Sequence, residues 1–196
     1  TRRRRCRCCI CEAGAFGAWT RLAASPWYEL TDGIERADSV ACDFHKWMFV
    51  PYDCGICLIR KEDEHRSAFA ARAPYLTELK QGLAGGDPWY CHYGVDLSRG
   101  NRALKIWSAI RAHGNKRLGQ AITANCQQAA QMGNLVDAAP HMQLMAPVIS
   151  NLCVFTADAT LAPDAQSALN EAVAQALQLS GEVVFSTTRS DGIICL

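Results

Sequence analysis

Two short apolar runs dominate the first half of the chain and lie close together. The runs "DSVACDF", residues 38–44, and "CGICLIR", residues 54–60, have the length and composition of strands. The residues "PYD" between them are typical of a turn. The pattern predicts a hairpin-like pair of strands with Lys46 at its tip. Lysine is among the residues least often buried, so its place between two apolar runs needs an explanation.

In the second half, the spacing of apolar residues changes to that of helices. Residues 101–132 predict a long helix, in which Gly114 indicates a break or a tight contact. A second helix is predicted over 163–179, because Pro163 suits a first turn and Gly181 lies just past the end. Short strands are predicted within 141–158, at 182–188 and at 192–196.

Composition excludes several classes of protein. The 196 residues suffice for one domain or two small ones, and the net charge of +1 creates no general attraction for nucleic acid or an anionic membrane. No apolar run is long enough to predict a membrane-spanning helix. Seven of the eleven cysteines are scattered from Cys42 to Cys195 without the spacing of a disulfide framework. They predict reduced thiols in a cytoplasmic protein.

The other four cysteines lie in residues 1–13, "TRRRRCRCCICEA", which consist almost wholly of arginine and cysteine. A zinc knuckle is one explanation, although the clump lacks the two separated pairs of a structural zinc site. A GC-rich coding sequence read in the wrong frame is the other. The chain therefore divides into three zones, namely 1–13, 14–118 and 119–196, which are predicted as an anomalous segment and two domains.

Four roles are open for Lys46 on the residues alone. It could be a surface lysine at a strand end, or it could lie beside a metal held by His45 and the pair Cys54-x-x-Cys57. A single CxxC without a second pair is weak support for a metal, so none is predicted. It could also form an ion pair with Asp43, or act as a covalent anchor that forms a Schiff base with a carbonyl compound.

The wider motif favours the anchor. Ser-x-x-x-Asp-x-His-Lys-Trp followed by Pro-x-Asp-Cys-Gly resembles the lysine motif of the pyridoxal-phosphate-dependent group II amino acid decarboxylases. That family includes aromatic-L-amino-acid, histidine and glutamate decarboxylases. Four other segments resemble the family in the same order: "GAFGAW" at 14–19, "GIERADS" at 33–39, "APYL" at 73–76 and "DLSRGNRALKIWSAIRAHG" at 96–114.

The resemblance runs from Gly14 to Leu196 and implies an α/β fold of the fold-type I, aminotransferase-like class. Residues 14–118 would be the C-terminal part of the cofactor-binding large domain, and 119–196 most of a truncated α+β small domain. The chain is therefore expected to be a fragment of a longer, homodimeric enzyme. The implied reaction is decarboxylation of an L-amino acid with pyridoxal 5'-phosphate. A catalytically incompetent remnant and an aldehyde-forming or other lyase on the same scaffold remain alternatives.

The resemblance also implies roles for single residues. Lys46 would carry the Schiff base with the cofactor, and His45, Asp43 and Ser39 would lie near its phosphate. Tyr75, in the segment that resembles a mobile catalytic loop, would return a proton to the substrate carbon after carbon dioxide leaves. Some relatives have phenylalanine at the position of Tyr75 and form aldehydes instead, so tyrosine favours simple decarboxylation.

At one position the chain departs from the family. The family has an aspartate just before the "GAFG" segment that pairs with the ring nitrogen of the cofactor, and Ala13 stands in its place. Glu12 is one position away, and a shift of one residue in a strand turns a side chain to the opposite face.

The basic residues at the start of the long helix have two interpretations. Arg99, Arg102 and Lys105 recur at intervals of three, as on a solvated helix face. The family resemblance instead places them near the active site or the dimer interface. The sequence leaves both interpretations open.

Overall fold

The computed structural model describes residues 11–69, 81–82, 85–86 and 89–196. The chain forms two compact units. The first contains residues up to Arg21 together with Glu29–Leu118, and the second contains Leu22–Tyr28 and Gly119–Leu196. The main division after Leu118 coincides with the composition change in the sequence, whereas the sequence held no sign that Leu22–Tyr28 joins the second unit.

The first unit contains a three-stranded sheet in the order β1-β2-β3. Strand β1, Cys11–Ala13, runs parallel to β2, Ser39–Asp43, and β2 is antiparallel to β3, Gly55–Ile59. The predicted pair of strands is confirmed, with each strand slightly shorter than its apolar run. Of the β3 residues, all but Ile56 are exposed, and β3 has β2 as its one strand partner among the described residues.

Apolar burial explains the shape of the connection between β2 and β3. Phe44, Trp47, Met48 and Val50 are all buried, and the Val50 amide donates to the Phe44 carbonyl at 3.1 Å. These side chains turn inward and leave Lys46 on the outer side of the bend. The hydrophobic residues around the lysine thus build the bend and do not bury the amine.

One helix lies within the first unit, and a second, longer helix begins there and continues into the second unit. Helix α1 spans Glu62–Ala68, and α2 spans Arg102–Ala138. The predicted break is confirmed, because Gly114 has φ 71° and ψ 156°, a conformation that side chains rarely permit. Short 3₁₀ turns occupy Gly17–Leu22, Trp27–Thr31, Ile34–Arg36 and Tyr90–Tyr93. No helix in the described ranges is long and apolar enough to cross a membrane.

The second unit has a small closed core beneath helix α3, Pro163–Ser180. The helix ends as predicted, with Gly181 in the left-handed conformation at φ 75°. Two antiparallel strand pairs accompany it: β4, Gln143–Leu144, with β5, Phe155–Thr156, and β6, Thr188–Ser190, with β7, Ile193–Cys195. The core side chains include Val136, Phe155, Ala174 and Leu196.

The strand predicted at 182–188 is wrong in its bounds, since β6 starts only at Thr188. The turn at Asp191 and Gly192, both with positive φ, sets a register in which Thr188 pairs with Cys195. The next residue, Leu196, exchanges backbone hydrogen bonds with Phe155 of β5 instead of extending the pairing with β6. Val184, in the apolar part of the predicted strand, is 74% exposed. A run of β-formers is therefore insufficient where the partner strand is too short to reach it.

A buried amide joins three elements of the second unit. Asn170 of α3 is fully buried, and its Oδ1 accepts a hydrogen bond from the Ala157 amide at 2.9 Å. Its Nδ2 donates to the Thr156 hydroxyl at 3.0 Å and to the Ile194 carbonyl at 2.7 Å. Three bonds to one buried side chain hold β5, α3 and β7 in register.

Candidate active site

Lys46 lies just after the end of β2 and forms an ion pair. Its Nζ is 2.9 Å from Oδ2 of Asp43, and the two side chains are 43% and 26% exposed. The ion pair that the sequence left open is therefore present. It leaves the amine accessible to a reactant, so the covalent role also remains open.

The backbone of Asp43 is held from both sides by the segment 14–19. The Asp43 amide donates to the Ala15 carbonyl at 2.7 Å, and its carbonyl accepts a bond from Nε1 of Trp19 at 2.9 Å. On the neighbouring strand, a Cβ at Gly55 would lie 3.1 Å from Oδ1 of Asp43, so glycine there leaves room for the carboxylate. The backbone that carries the carboxylate beside Lys46 is thus held by Ala15 and Trp19, and Gly55 leaves space for the carboxylate itself.

A hydrogen bond from the backbone determines the tautomer of the neutral His45 ring. The backbone amide of Cys54 donates to its Nδ1 at 2.9 Å, so a neutral ring carries its hydrogen on Nε2. The edge of the ring also contacts Tyr52, with ring centroids 4.8 Å apart. His45 therefore offers a hydrogen-bond donor, in a fixed orientation, immediately before Lys46 in the chain.

A groove of about 410 Å³ opens beside Asp43, within the size range of small-molecule sites. In the register of the sheet, Ala13 is the partner of Ala41 in the groove wall, so the departure from the family pattern lies next to this groove. Burial, with the nearby Asp43 charge, raises the pKa of the Cys42 thiol to about 11. Cys42 is therefore a protonated and unreactive thiol at neutral pH. The groove is lined by Ala15, Ala41, Cys42, Asp43, Gly55, Ile56 and Cys57.

The structure brings some of the predicted site residues together and not others. Lys46, His45 and Asp43 lie in one segment, but Ser39 begins β2 and is about 13 Å away from Asp43 along the strand. Tyr75 lies outside the described residues. The seven cysteines from 42 onward are free thiols. No group of three possible metal ligands occurs among the described residues.

The basic residues at the start of α2 reach the turn before β3. Arg102 donates from Nε and Nη2 to Oδ2 of Asp53, at 3.1 and 3.0 Å. Nζ of Lys105 donates to the carbonyls of Pro51 and Asp53, at 3.0 and 2.6 Å. The guanidinium of Arg99 instead lies over the Tyr90 ring, 5.3 Å from its centroid. Both segments, "PYD" and "RALK", are visible in the sequence, but no sequence pattern indicated that they contact each other.

Comparison with known proteins decides the family. Residues 15–158 match a family model described as the pyridoxal-dependent decarboxylase conserved domain. The chain belongs to this family. The match covers most of the chain and begins after the arginine- and cysteine-rich segment.

Individual members of the pyridoxal-dependent decarboxylase family resemble the chain over part of their length. Aromatic-L-amino-acid decarboxylase of Drosophila melanogaster is 35% identical over 126 residues, which are 64% of this chain and 24% of that protein. Phenylacetaldehyde synthase of Arabidopsis thaliana is 26% identical over 194 residues, 94% of this chain and 39% of that protein. The chain thus spans between a quarter and two fifths of the length of these relatives.

A solved structure confirms the fold class. The structure of Oryza sativa TDC with PLP and tryptamine matches with a TM-score of 0.83 and 20% identity, over 94% of this chain and 38% of that one. The predicted fold-type I, α/β architecture is confirmed, and this chain corresponds to part of it.

Proposed function

We propose that the chain carries the lysine-bearing part of a pyridoxal-phosphate-dependent decarboxylase that converts an L-amino acid to its amine and carbon dioxide. The observation that carries this proposal is the accessible amine of Lys46, held at the end of β2 in a family member. The proposed partners are an amino acid substrate and a second copy of the full-length protein.

The residues present fit the attachment of pyridoxal phosphate. A primary amine such as Lys46 is the group that condenses with an aldehyde. The Nε2–H of His45 is a suitable donor to an anionic phosphate. Asp43 is poorly suited to bind phosphate because both are negative, so we assign it to Lys46 instead. Position 13, however, provides no carboxylate for the ring nitrogen.

Bound at this site, pyridoxal phosphate would supply an aldehyde for Lys46 and a ring that withdraws electrons from the substrate as carbon dioxide leaves. The carboxylate of Asp43 contacts Nζ of Lys46 and orients that nitrogen. When the lysine acts as a nucleophile, the carboxylate oxygen 2.9 Å away is positioned to accept the proton that the amine must lose. The ion pair therefore orients the lysine, whose nitrogen must lose a proton before it can add to an aldehyde.

Tyr75 is proposed to return a proton to the substrate carbon, as the family resemblance implies. A phenol is a reasonable donor when a closed loop excludes water. Replacing Tyr75 with phenylalanine should then shift the product from the amine towards the aldehyde. Product analysis of the full-length enzyme tests this, and an unchanged amine yield would remove Tyr75 from the reaction.

Alanine at position 13 favours a second candidate function, in which the chain binds the cofactor but does not catalyse decarboxylation. Without a carboxylate at position 13, the ring nitrogen lacks the partner that keeps it protonated in the family. Restoring the acid with Ala13→Asp separates the two candidates. A large gain in carbon dioxide release would mean that the natural chain is impaired at this step, whereas equal and measurable rates would favour the active enzyme.

The decisive experiment is covalent trapping on Lys46. The purified chain is incubated with pyridoxal phosphate, reduced with borohydride and digested, and the modified lysine is located by mass spectrometry. Lys61→Ala is a matched control, because Lys61 also forms an ion pair with an acid three residues away, at 2.6 Å from Glu64. Modification that survives in Lys61→Ala and disappears in Lys46→Ala supports the proposal. Equal modification of the two lysines would overturn it.

A further inference from the structure

We propose that Arg102 and Lys105 are positioning residues for the candidate site: they hold the turn Pro51–Asp53, and through it His45 and the adjacent Lys46. We call these two side chains and the turn the latch. The inference rests on the proposed function of Lys46, but its central contacts can be tested without the cofactor.

The latch is built from four hydrogen bonds that converge on two residues, Pro51 and Asp53. Arg102 gives two bonds to one carboxylate oxygen of Asp53, and Lys105 gives two bonds to backbone carbonyls of the turn. Residues 102 and 105 lie three apart, so they project from the same face of the first turns of α2. Arg102 holds the turn by a side chain and Lys105 holds it by the backbone. Together the two contacts restrict both the position and the orientation of the turn.

The turn is connected directly to the histidine. Asp53 is followed by Cys54, which is fully buried and whose amide donates to Nδ1 of His45. The Cys54 carbonyl accepts a bond from the Phe44 amide at 2.8 Å, on the strand side of the same bend. A displacement of the turn therefore moves the amide that determines which ring nitrogen of His45 carries the hydrogen. Lys46 is the next residue in the chain.

Exposure indicates that the latch serves local geometry more than global stability. The Arg102 and Asp53 side chains are 41% and 54% exposed, and ion pairs at such surfaces contribute little to the free energy of unfolding. The hydrogen bonds from Arg102 also lower the pKa of the Asp53 carboxyl, so this acid stays charged throughout the neutral range.

Hydrogen exchange of the Cys54 amide tests the latch in the 196-residue chain without added cofactor. In Arg102→Gln we expect this amide to exchange about tenfold faster, because its bond to His45 opens more often. The ¹⁵N shifts of the His45 ring should also move towards a mixture of tautomers. Arg102→Lys keeps the charge with fewer donors and should recover part of the protection.

Arg99→Gln is the matched control, because Arg99 lies next to the same helix but contacts Tyr90 and not the turn. It should leave the Cys54 amide and the His45 ring unchanged. If Arg102→Gln and Arg99→Gln give the same exchange rate at Cys54, the latch is overturned. A large loss of melting temperature in Arg102→Gln would also contradict it, since the role would then be general stability.

The link to function is tested by the rate at which Lys46 is modified by pyridoxal phosphate. We expect Arg102→Gln to be about fivefold slower than Arg99→Gln, because the amine and histidine are less well oriented. Faster exchange at Cys54 with an unchanged modification rate would overturn the link to Lys46. If even the unsubstituted chain is not modified, the proposed function fails, and the exchange and ¹⁵N data alone decide the latch.

Discussion

The two units of the chain use polar contacts in opposite ways. In the second unit, one fully buried amide, Asn170, joins a helix to two strands. In the first unit, the turn Pro51–Asp53 of the lysine-bearing hairpin is held by side chains that remain partly in water, such as Arg102 on Asp53. Buried polar contacts are costly to break, whereas exposed ones exchange readily with solvent. The comparison predicts that losing the buried amide of Asn170 destabilises the chain more than losing the exposed contact of Arg102 does.

The largest predicted effect is the loss of covalent attachment in Lys46→Ala. Removing the amine should abolish modification by pyridoxal phosphate, since no other group in the segment can condense with an aldehyde in the same position. The melting temperature should change little, because the lost ion pair is partly exposed. Parallel trapping and thermal unfolding measurements check both parts. A strongly destabilised Lys46→Ala protein would mean that this ion pair is structural.

The second prediction concerns the buried amide. Asn170→Ala should destabilise the second unit by about 3 kcal/mol, because it leaves a buried amide, a hydroxyl and a carbonyl without their partner. Urea unfolding, followed by a probe in each unit, measures the loss. Asn125→Ala is the control, since the Asn125 bond to Gln128 is exposed. Comparable losses in the two variants would remove the contrast between the units.

A smaller effect is expected from filling the space beside Asp43. In Gly55→Ala the new Cβ would lie 3.1 Å from Oδ1 of Asp43, so the carboxylate must shift away from its present position. We expect modification of Lys46 to slow about fivefold, equivalent to about 1 kcal/mol. Gly17→Ala is a suitable control, because a Cβ there meets nothing within 4 Å. An unchanged rate in Gly55→Ala would show that the position of Asp43 does not govern the lysine.

The smallest effect is the response of the latch to pH. Hydrogen bonds from Arg102 lower the pKa of Asp53 in the folded chain, so the latch is fully present above the ordinary aspartate pKa. It should be lost only as the pH falls through the lowered value. Hydrogen exchange at the Cys54 amide should therefore stay slow in mildly acidic solution. After correction for the pH dependence of the intrinsic exchange rate, it should accelerate only when the pH falls through the lowered pKa of Asp53. In Arg102→Gln this acid-dependent acceleration should disappear, because the bonds that protonation of Asp53 would break are already absent.

The sequence predicted the hairpin better than it predicted what holds the hairpin in place. Continuous apolar runs and a turn signal are local, so β2, β3 and the bend around Lys46 could be predicted. The break at Gly114 and the end of α3 at Gly181 were predictable for the same reason, since glycine marks a local conformation.

Contacts between distant segments were not predictable. Arg102 and Asp53 are 49 residues apart, and the helical spacing of the basic residues does not say which segment their face meets. The hydrogen bonds of Asn170 depend on how β5 and β7 pack against α3. A single asparagine in a helical sequence does not indicate which strands it will contact. Β-formers at 183–185 also predicted too long a strand, because Leu196, the residue that follows β7, bonds to Phe155 and not to that run.

The exposed edge of strand β3 affects how strongly the isolated chain associates with itself in solution. It exposes Cys57, Leu58 and Ile59, and among the described residues one of its edges carries backbone groups without a strand partner. Such an edge is a template on which further strands can add. We therefore expect the purified chain to associate through this edge as its concentration rises. Light scattering at increasing protein concentration, with a reductant present to keep Cys57 as a thiol, measures this association.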